Sequence, residues 1–224
     1  MAEAIEIWCW DADVEPGDEA LLSGEEIARA RKFMFEVDRR RYIASHSMIR
    51  RALGAYMKAA PEALVFTRGE NGKPSVAGGP EFNFSDSAEI GLLAISPRLP
   101  IGADVECVRQ RAFGVDELAE TVFTEAEQAR LAALPEEARL AAFFRGWTRK
   151  EALLKAIGSG FSIKPTVFDV TMGEADAPRL NWIDPAIDAD AAAWTLQSLA
   201  IAPGFEAALA IRNGGAGLDV VMRR

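Results

Sequence analysis

Histidine and cysteine are nearly missing from this 224-residue chain, which has one His and two Cys. A zinc site usually draws four ligands from Cys and His, so His46, Cys9 and Cys107 together cannot furnish one. The two cysteines show no paired spacing and read as thiols of a reduced, cytoplasmic compartment. Basic charge is also short: 25 Lys and Arg face 34 Asp and Glu, a net charge of −9. Nucleic acids and anionic membranes reward a basic surface, so neither is expected as a partner, although a local basic patch stays compatible with the total. No apolar run approaches the roughly 18 residues of a membrane span. Met1 to Asp13 carries acids and no basic region of the kind that opens a secretory signal. What is present is ordinary soluble composition, 50% apolar and 26% charged, in a chain long enough for one large domain or two small ones.

Ile5 to Trp10 alternates and predicts a strand. Ser23 can cap a helix whose first turn holds Glu25 and Glu26, acids suited to its positive end. A second helix is expected from about Arg39 to Met57, with Ile43, Ile49, Ala52, Leu53 and Tyr56 on its apolar stripe. Turns fill the stretch from Gly69 to Pro80, and strands follow at 82–84, 90–95 and 101–105. The second half predicts helices at 117–133 and 139–157, the latter stopped by Gly158 and Gly160, then strands near 167–171, 194–200, 205–211 and 218–222. Helices plus short antiparallel strands in each half imply an α+β fold of two similarly built lobes.

Three segments carry chemistry. In Gly102-Ala103-Asp104-Val105-Glu106, a strand would point Asp104 and Glu106 to one face, where two carboxylates repel unless a cation lies between them. Mg²⁺ suits such a pair, because it takes one or two carboxylates and completes its shell with phosphate and water. In Trp147 to Gly158, Glu151 and Lys155 share a helix face, and an adjacent ammonium could complete a metal and phosphate site. The third segment is Gly72-Lys73-Pro74 followed by Phe82-Asn83-Phe84-Ser85-Asp86-Ser87, where a turn lysine can act as a point charge for phosphate. Each segment alone reads equally as exposed strand acids, a surface ion pair, or a polar loop.

Together, in this order and spacing, they resemble the signatures of the 4′-phosphopantetheinyl transferases of the surfactin-synthetase-activating type: Gly-Lys-Pro, Phe-Asn-X-Ser-His-Ser, Gly-X-Asp-X-Glu and Trp-X-X-Lys-Glu-X-X-X-Lys. The resemblance implies a monomer with a pseudo-twofold, an N-terminal lobe at 1–100, a C-terminal lobe at 101–224 and the site between them. It implies a Mg²⁺-dependent transfer from coenzyme A to a serine of an apo acyl- or peptidyl-carrier protein, with 3′,5′-ADP released. By position, Asp104, Glu106 and Glu151 would hold Mg²⁺. Glu151 would take the serine proton, and Lys155 would face the pyrophosphate and help the leaving group carry its charge. Arg29, Arg41, Lys73, Ser85, Asp86 and Lys155 fall where coenzyme A is bound. Trp147 is expected to pack the helix.

One position departs. The family's Ser-His-Ser reads Ser85-Asp86-Ser87, which puts an acceptor-only anion where a donor to phosphate belongs. The resemblance therefore implies coenzyme A binding weaker than that of an Asp86→His variant, unless a basic group such as Arg50 or Arg51 compensates. It also leaves open a homologue that binds coenzyme A or a carrier without transferring. His46 lies mid-helix at no family position and is expected to be structural.

Overall fold

The computed structural model describes residues 4–69, 71–109, 114–158 and 160–223. Its centre is a contact between two sheets. The first has strand order β11-β1-β5-β4, from Val220–Arg223, Ile5–Asp11, Ile90–Ser96 and Glu81–Ser87. The second runs β6-β10-β9, from Ile101–Cys107, Phe205–Arg212 and Trp194–Ser198. Alternation decides what each face buries. Ile5, Ile7, Leu92 and Ala94 of the first sheet meet Ile101, Ala103, Val105, Leu209 and Ile211 of the second. The other face of β5, Leu93 and Ile95, lies under a 22-residue helix, α2 (Glu36–Met57), together with Trp10 and Phe82. With both faces covered, β5 is buried along its whole length. A second helix of the same length, α5 (Glu136–Ile157), covers the outer face of the second sheet, with Ala152, Leu153 and Ala156 against Ala208 and Ala210. The order is thus helix, sheet, sheet, helix, an α+β arrangement.

Two features fix where the site forms. Gly102 on β6 faces α5 so closely that a Cβ there would run into the Ala152 carbonyl, which draws the strand against the helix. Asp104 and Glu106 share that face of β6, the face turned to α5. At the seam between the sheets, β4 is joined to β6 by side chains at alternate positions: Asn83 Oδ1 accepts from the Ala103 amide at 2.8 Å, and Ser87 Oγ accepts from the Cys107 amide at 3.1 Å.

Local signals explain most elements. Ser23 caps α1 (Gly24–Ala30) in a capping box with Glu26. α2 begins at Glu36, a turn before the expected start. The single helix expected at 117–133 is instead two, α3 (Val115–Val122) and α4 (Glu125–Ala132). Thr124 breaks the run, because its side chain accepts from the Glu127 amide and Glu127 bonds back, a second capping box. The polar stretch before Pro80 holds a short hairpin of β2 (Phe66–Arg68) and β3 (Pro74–Val76), and β8 (Leu180–Ile183) pairs with β7 (Phe168–Val170). The last strand, β11, pairs in parallel with β1, Ile5 opposite Val220, so the end of the chain completes the sheet of its beginning. Among the described residues no helix is long and apolar enough to cross a membrane.

Candidate active site

The seam between β4 and β6, under α5, gathers the charged residues. Asp104 is 5% exposed. Its Oδ1 accepts from Lys155 Nζ at 2.6 Å and from Ser85 Oγ at 2.9 Å. Lys155 also donates to Ser85 Oγ at 2.9 Å and to the Ala103 carbonyl at 3.2 Å. Glu106 accepts from Ser87 Oγ at 2.9 Å and from the Trp147 indole at 3.2 Å. Trp147 therefore both packs its helix against the Phe123–Phe144 cluster, as expected, and holds a site carboxylate. Glu151, one turn before Lys155, completes the group. Burial pushes its carboxyl up, the negative charges of Asp104 and Glu106 add to the push, and Lys155 opposes it. Burial likewise raises Asp104, against the pull of Lys155 and Ser85.

Does this arrangement suit a divalent cation? Every candidate donor is a carboxylate oxygen, the preference of Mg²⁺. Asp104 Oδ2 is buried and has no hydrogen-bond partner among the described residues, a costly state for a carboxylate oxygen. Burial raises Glu151 most, and the added repulsion from Asp104 and Glu106 is what a cation would relieve. Among the described residues no three His, Cys, Asp or Glu side chains are already drawn to ligand distance. Lys155 is the cation beside Asp104 instead. The donor set fits Mg²⁺ in chemistry.

The other expected contacts are distributed unevenly. Ser85 lies inside the cluster. Lys73 does not: it donates to the Ile101 carbonyl at 3.2 Å and lies 3.8 Å from Glu81, at the opposite end of β4 from Asp86, about 16 Å along the strand. Burial lowers its pKa. Arg41 is paired with Asp13 through Nε at 2.9 Å and lies 3.7 Å from Glu89. Arg29 is exposed and sits over the Tyr42 ring, 5.8 Å from its centroid. Lys150, the ammonium adjacent to Glu151, points away from the cluster. It is fully buried against Glu127 at 2.6 Å and donates to the Pro165 and Phe168 carbonyls.

Asp86 belongs to the opposite face of β4. Phe82, Phe84 and Asp86 point toward α2, and Asp86 lines a cleft with Arg41, Tyr42, His46 and Glu89. Protein packed around it pushes its carboxyl up, and Lys155, His46 and Arg29 pull it back. His46 faces the same cleft from α2, held by Glu26 at 2.8 Å and by the Tyr42 ring. Arg50 and Arg51 do not compensate for Asp86. Arg50 is 2% exposed and is consumed by Glu26 Oε2 at 2.6 Å and by the Pro61 and Leu64 carbonyls, while Arg51 turns to the Pro16 carbonyl. A helix position whose neighbour across a sheet is set only by packing carries no signal in the sequence. Ser87 was equally unmarked, although the two-residue period from Asn83 through Ser85 would have found it.

Comparison with known proteins identifies the family. The family model described as "4′-phosphopantetheinyl transferase superfamily" matches residues 100–210, and that described as "4′-phosphopantetheinyl transferase, N-terminal" matches residues 17–97. The 4′-phosphopantetheinyl transferase HetI of Nostoc sp. is 33% identical over 201 residues, covering 88% of this chain and 81% of that one. The 4′-phosphopantetheinyl transferase psf-1 of Bacillus pumilus is 28% identical over 197 residues, covering 87% and 81%. A solved holo-(acyl-carrier-protein) synthase from Bacillus anthracis, in complex with CoA (3′,5′-ADP), is 23% identical over 52% of this chain and 96% of that one. The TM-score of that match is 0.41.

Proposed function

The chain belongs to the 4′-phosphopantetheinyl transferase superfamily, and we propose that the β4–β6 seam under α5 is where it performs that family's transfer. The enzyme moves the phosphopantetheine arm of coenzyme A onto a carrier protein. Its residue roles follow from placement. The serine hydroxyl of an apo acyl- or peptidyl-carrier protein attacks the β-phosphorus of the coenzyme A pyrophosphate. A new P–O bond forms to serine, the P–O bond to 3′,5′-ADP breaks, and the serine proton passes to Glu151. A carboxylate raised toward neutrality by burial is suited to that step. Lys155 and Ser85 hold the pyrophosphate oxygens, and Lys155 offsets the charge that grows on the departing diphosphate. Asp104, Glu106 and Glu151 would hold Mg²⁺, whose chemistry there is to draw negative charge from the pyrophosphate. Arg29 and Arg41 lie beside the cleft that Asp86 lines, and Lys73 lies apart, beside the start of β6. For the carrier, the connection between α1 and α2 offers exposed Met34 and Phe35 next to exposed Arg31 and Lys32, an apolar and basic surface for an acidic partner. We take the enzyme to act as a monomer.

The observation that carries this reading is the junction of Lys155, Asp104 and Ser85 beside a raised Glu151. Its test is intact-mass measurement of an apo carrier protein incubated with the chain, coenzyme A and Mg²⁺. A gain of one phosphopantetheine that EDTA or Glu151→Ala abolishes supports the assignment. No gain across several carriers at millimolar coenzyme A would refute it.

A further inference from the structure

A fourth carboxylate stands beside the seam, on β10. Opposed residues of an antiparallel pair carry their side chains on one face, with Cβ atoms about 4.5–5.5 Å apart. On the face of β6 turned to α5, Gly102 and Asp104 are opposed by Ala210 and Ala208, but Glu106 is opposed by Glu206. Two carboxylates directly opposite each other destabilise a sheet unless a positive group neutralises one of them. Here α5 gives each acid its own partner. Trp147 donates its indole N–H to Glu106 at 3.2 Å, and Arg145 donates to Glu206 Oε1 at 2.7 Å. Arg145 is fixed from its other side by the Met172 carbonyl at 3.2 Å. The side chains of the pair are mostly enclosed, Arg145 14% and Glu206 18% exposed, unlike a solvated surface ion pair. The next arginine of α5, Arg149, is taken by Thr171 and Ser198. Arg145 is therefore the arginine that hydrogen-bonds Glu206 among the described residues.

This inference rests on the transfer reading above, in which Asp104, Glu106 and Glu151 would hold Mg²⁺. Selectivity among hard cations follows the number of oxygen ligands. Mg²⁺ takes one or two carboxylates and keeps several waters, whereas Ca²⁺ takes about six to eight oxygens in a looser shell. Glu206, opposite Glu106, would add a carboxylate and a negative charge to the seam if it were released. Arg145 cancels that charge and holds the side chain on itself. We propose that the Arg145–Glu206 pair determines which divalent cation the seam accepts: Arg145 withholds Glu206, and the seam keeps the sparse carboxylate set that suits Mg²⁺ over Ca²⁺. Both are positioning residues, acting through the carboxylates of the seam. Removing Arg145 leaves one more negative charge beside the cation, and removing the charge of Glu206 leaves one more positive charge. The two substitutions therefore act in opposite directions on cation affinity. Residues that only held the fold together would both weaken it.

The test is calorimetric titration of the full chain, without coenzyme A, with MgCl₂ and separately with CaCl₂. Wild type is compared with Arg145→Met, Glu206→Gln and the double variant. Arg145→Met should bind Ca²⁺ about ten- to a hundredfold more tightly, the span by which partners that orient metal ligands shift affinity, with a smaller gain for Mg²⁺. Glu206→Gln should weaken both cations, and the double variant should return close to wild-type affinity and preference. Thermal unfolding without metal shows whether each variant is folded. Should Arg145→Met not fold, the weakening in Glu206→Gln and its reversal in the double variant carry the test. Weakening in both single variants, or one Ca²⁺-to-Mg²⁺ preference shared by all the proteins, overturns the assignment. If wild type binds Mg²⁺ and the variants bind as it does, this inference fails and the three seam carboxylates stand. A wild-type chain that binds neither cation removes those three as metal ligands, and this inference with them.

Discussion

Lys155 Nζ lies 2.6 Å from Asp104 Oδ1 at the seam of the two sheets, an ion pair whose acid is almost fully enclosed and whose base is 27% exposed. That asymmetry separates stability from catalysis. Lys155→Met strands a buried carboxylate and should cost about 3 kcal/mol of unfolding free energy, toward the low end for a broken buried pair because solvent reaches the lysine. Adding Asp104→Asn should restore most of that stability, read by urea denaturation, without restoring transfer. Recovery of activity in the double variant would show that Lys155 supports the fold and not the reaction.

Divalent cation binding should appear as stabilisation of the folded chain, independently of turnover. Asp104, Glu106 and Glu151 repel one another, and a ligand present at a hundred times its dissociation constant adds about 2.7 kcal/mol. The melting temperature should therefore rise with Mg²⁺ and return with EDTA. Glu151→Gln should reduce the rise. A melting temperature indifferent to Mg²⁺ in the wild-type protein would remove these three residues as metal ligands.

Glu26 gives a pH dependence with a definite sign. Burial opposes its ionisation, but hydrogen bonds from His46, Arg50 and Ser23 take its pKa from 4.5 down to about 2. A folded-state pKa below the unfolded one contributes stability that is complete above the unfolded value and is lost as pH falls through the folded one. The window is thus from about pH 4.5 down to about pH 2, and the contribution at neutral pH is about 3 kcal/mol. Asp104, Glu127 and Glu151 are shifted the opposite way and partly offset it on the same acid limb. The clean comparison is wild type against Glu26→Gln: the difference in unfolding free energy should shrink steadily as pH falls. A constant difference would mean that Glu26 is not the group titrating.

How much of this could be read before the structure depended on whether the cause was local. The strand at 101–105 and the face shared by Asp104 and Glu106 follow from a period of two, and the i, i+4 relation of Glu151 and Lys155 follows from a helix turn. Thr124 and Glu127 also spell a capping box, so the break between α3 and α4 has a local cause. The hairpin of β2 and β3 was hidden by Gly and Pro, which mark turns more strongly than three-residue strands mark themselves. What no local pattern holds is partnership across the fold. Gly102 is small because the Ala152 carbonyl passes over it, His46 meets Asp86 because β4 turns alternate residues to α2, and Arg50 is spent on Glu26 two elements away.

Lys150 is the sharpest instance, and it yields the last prediction. In sequence it sits beside Glu151 within the family motif and invites a role in phosphate binding. A helix separates neighbours by about 100°, however, and Lys150 points into the core while Glu151 points to the seam. With Glu127, it forms a pair in which both side chains are 0% exposed. Burial lowers the lysine and raises the acid, and the charge of each opposes the shift of the other. Lys150→Met should then cost about 3–5 kcal/mol by leaving Glu127 uncompensated, whereas Lys150→Met with Glu127→Gln should recover part of that loss, the glutamine keeping one of the two acceptors that serve the Thr124 and Val170 amides. The α3–α4 break should persist in the double variant, since glutamine preserves a side-chain acceptor for the Thr124 amide. Because neither residue touches the seam, transfer should recover together with stability. A double variant that regains stability but not transfer would place Lys150 in the reaction.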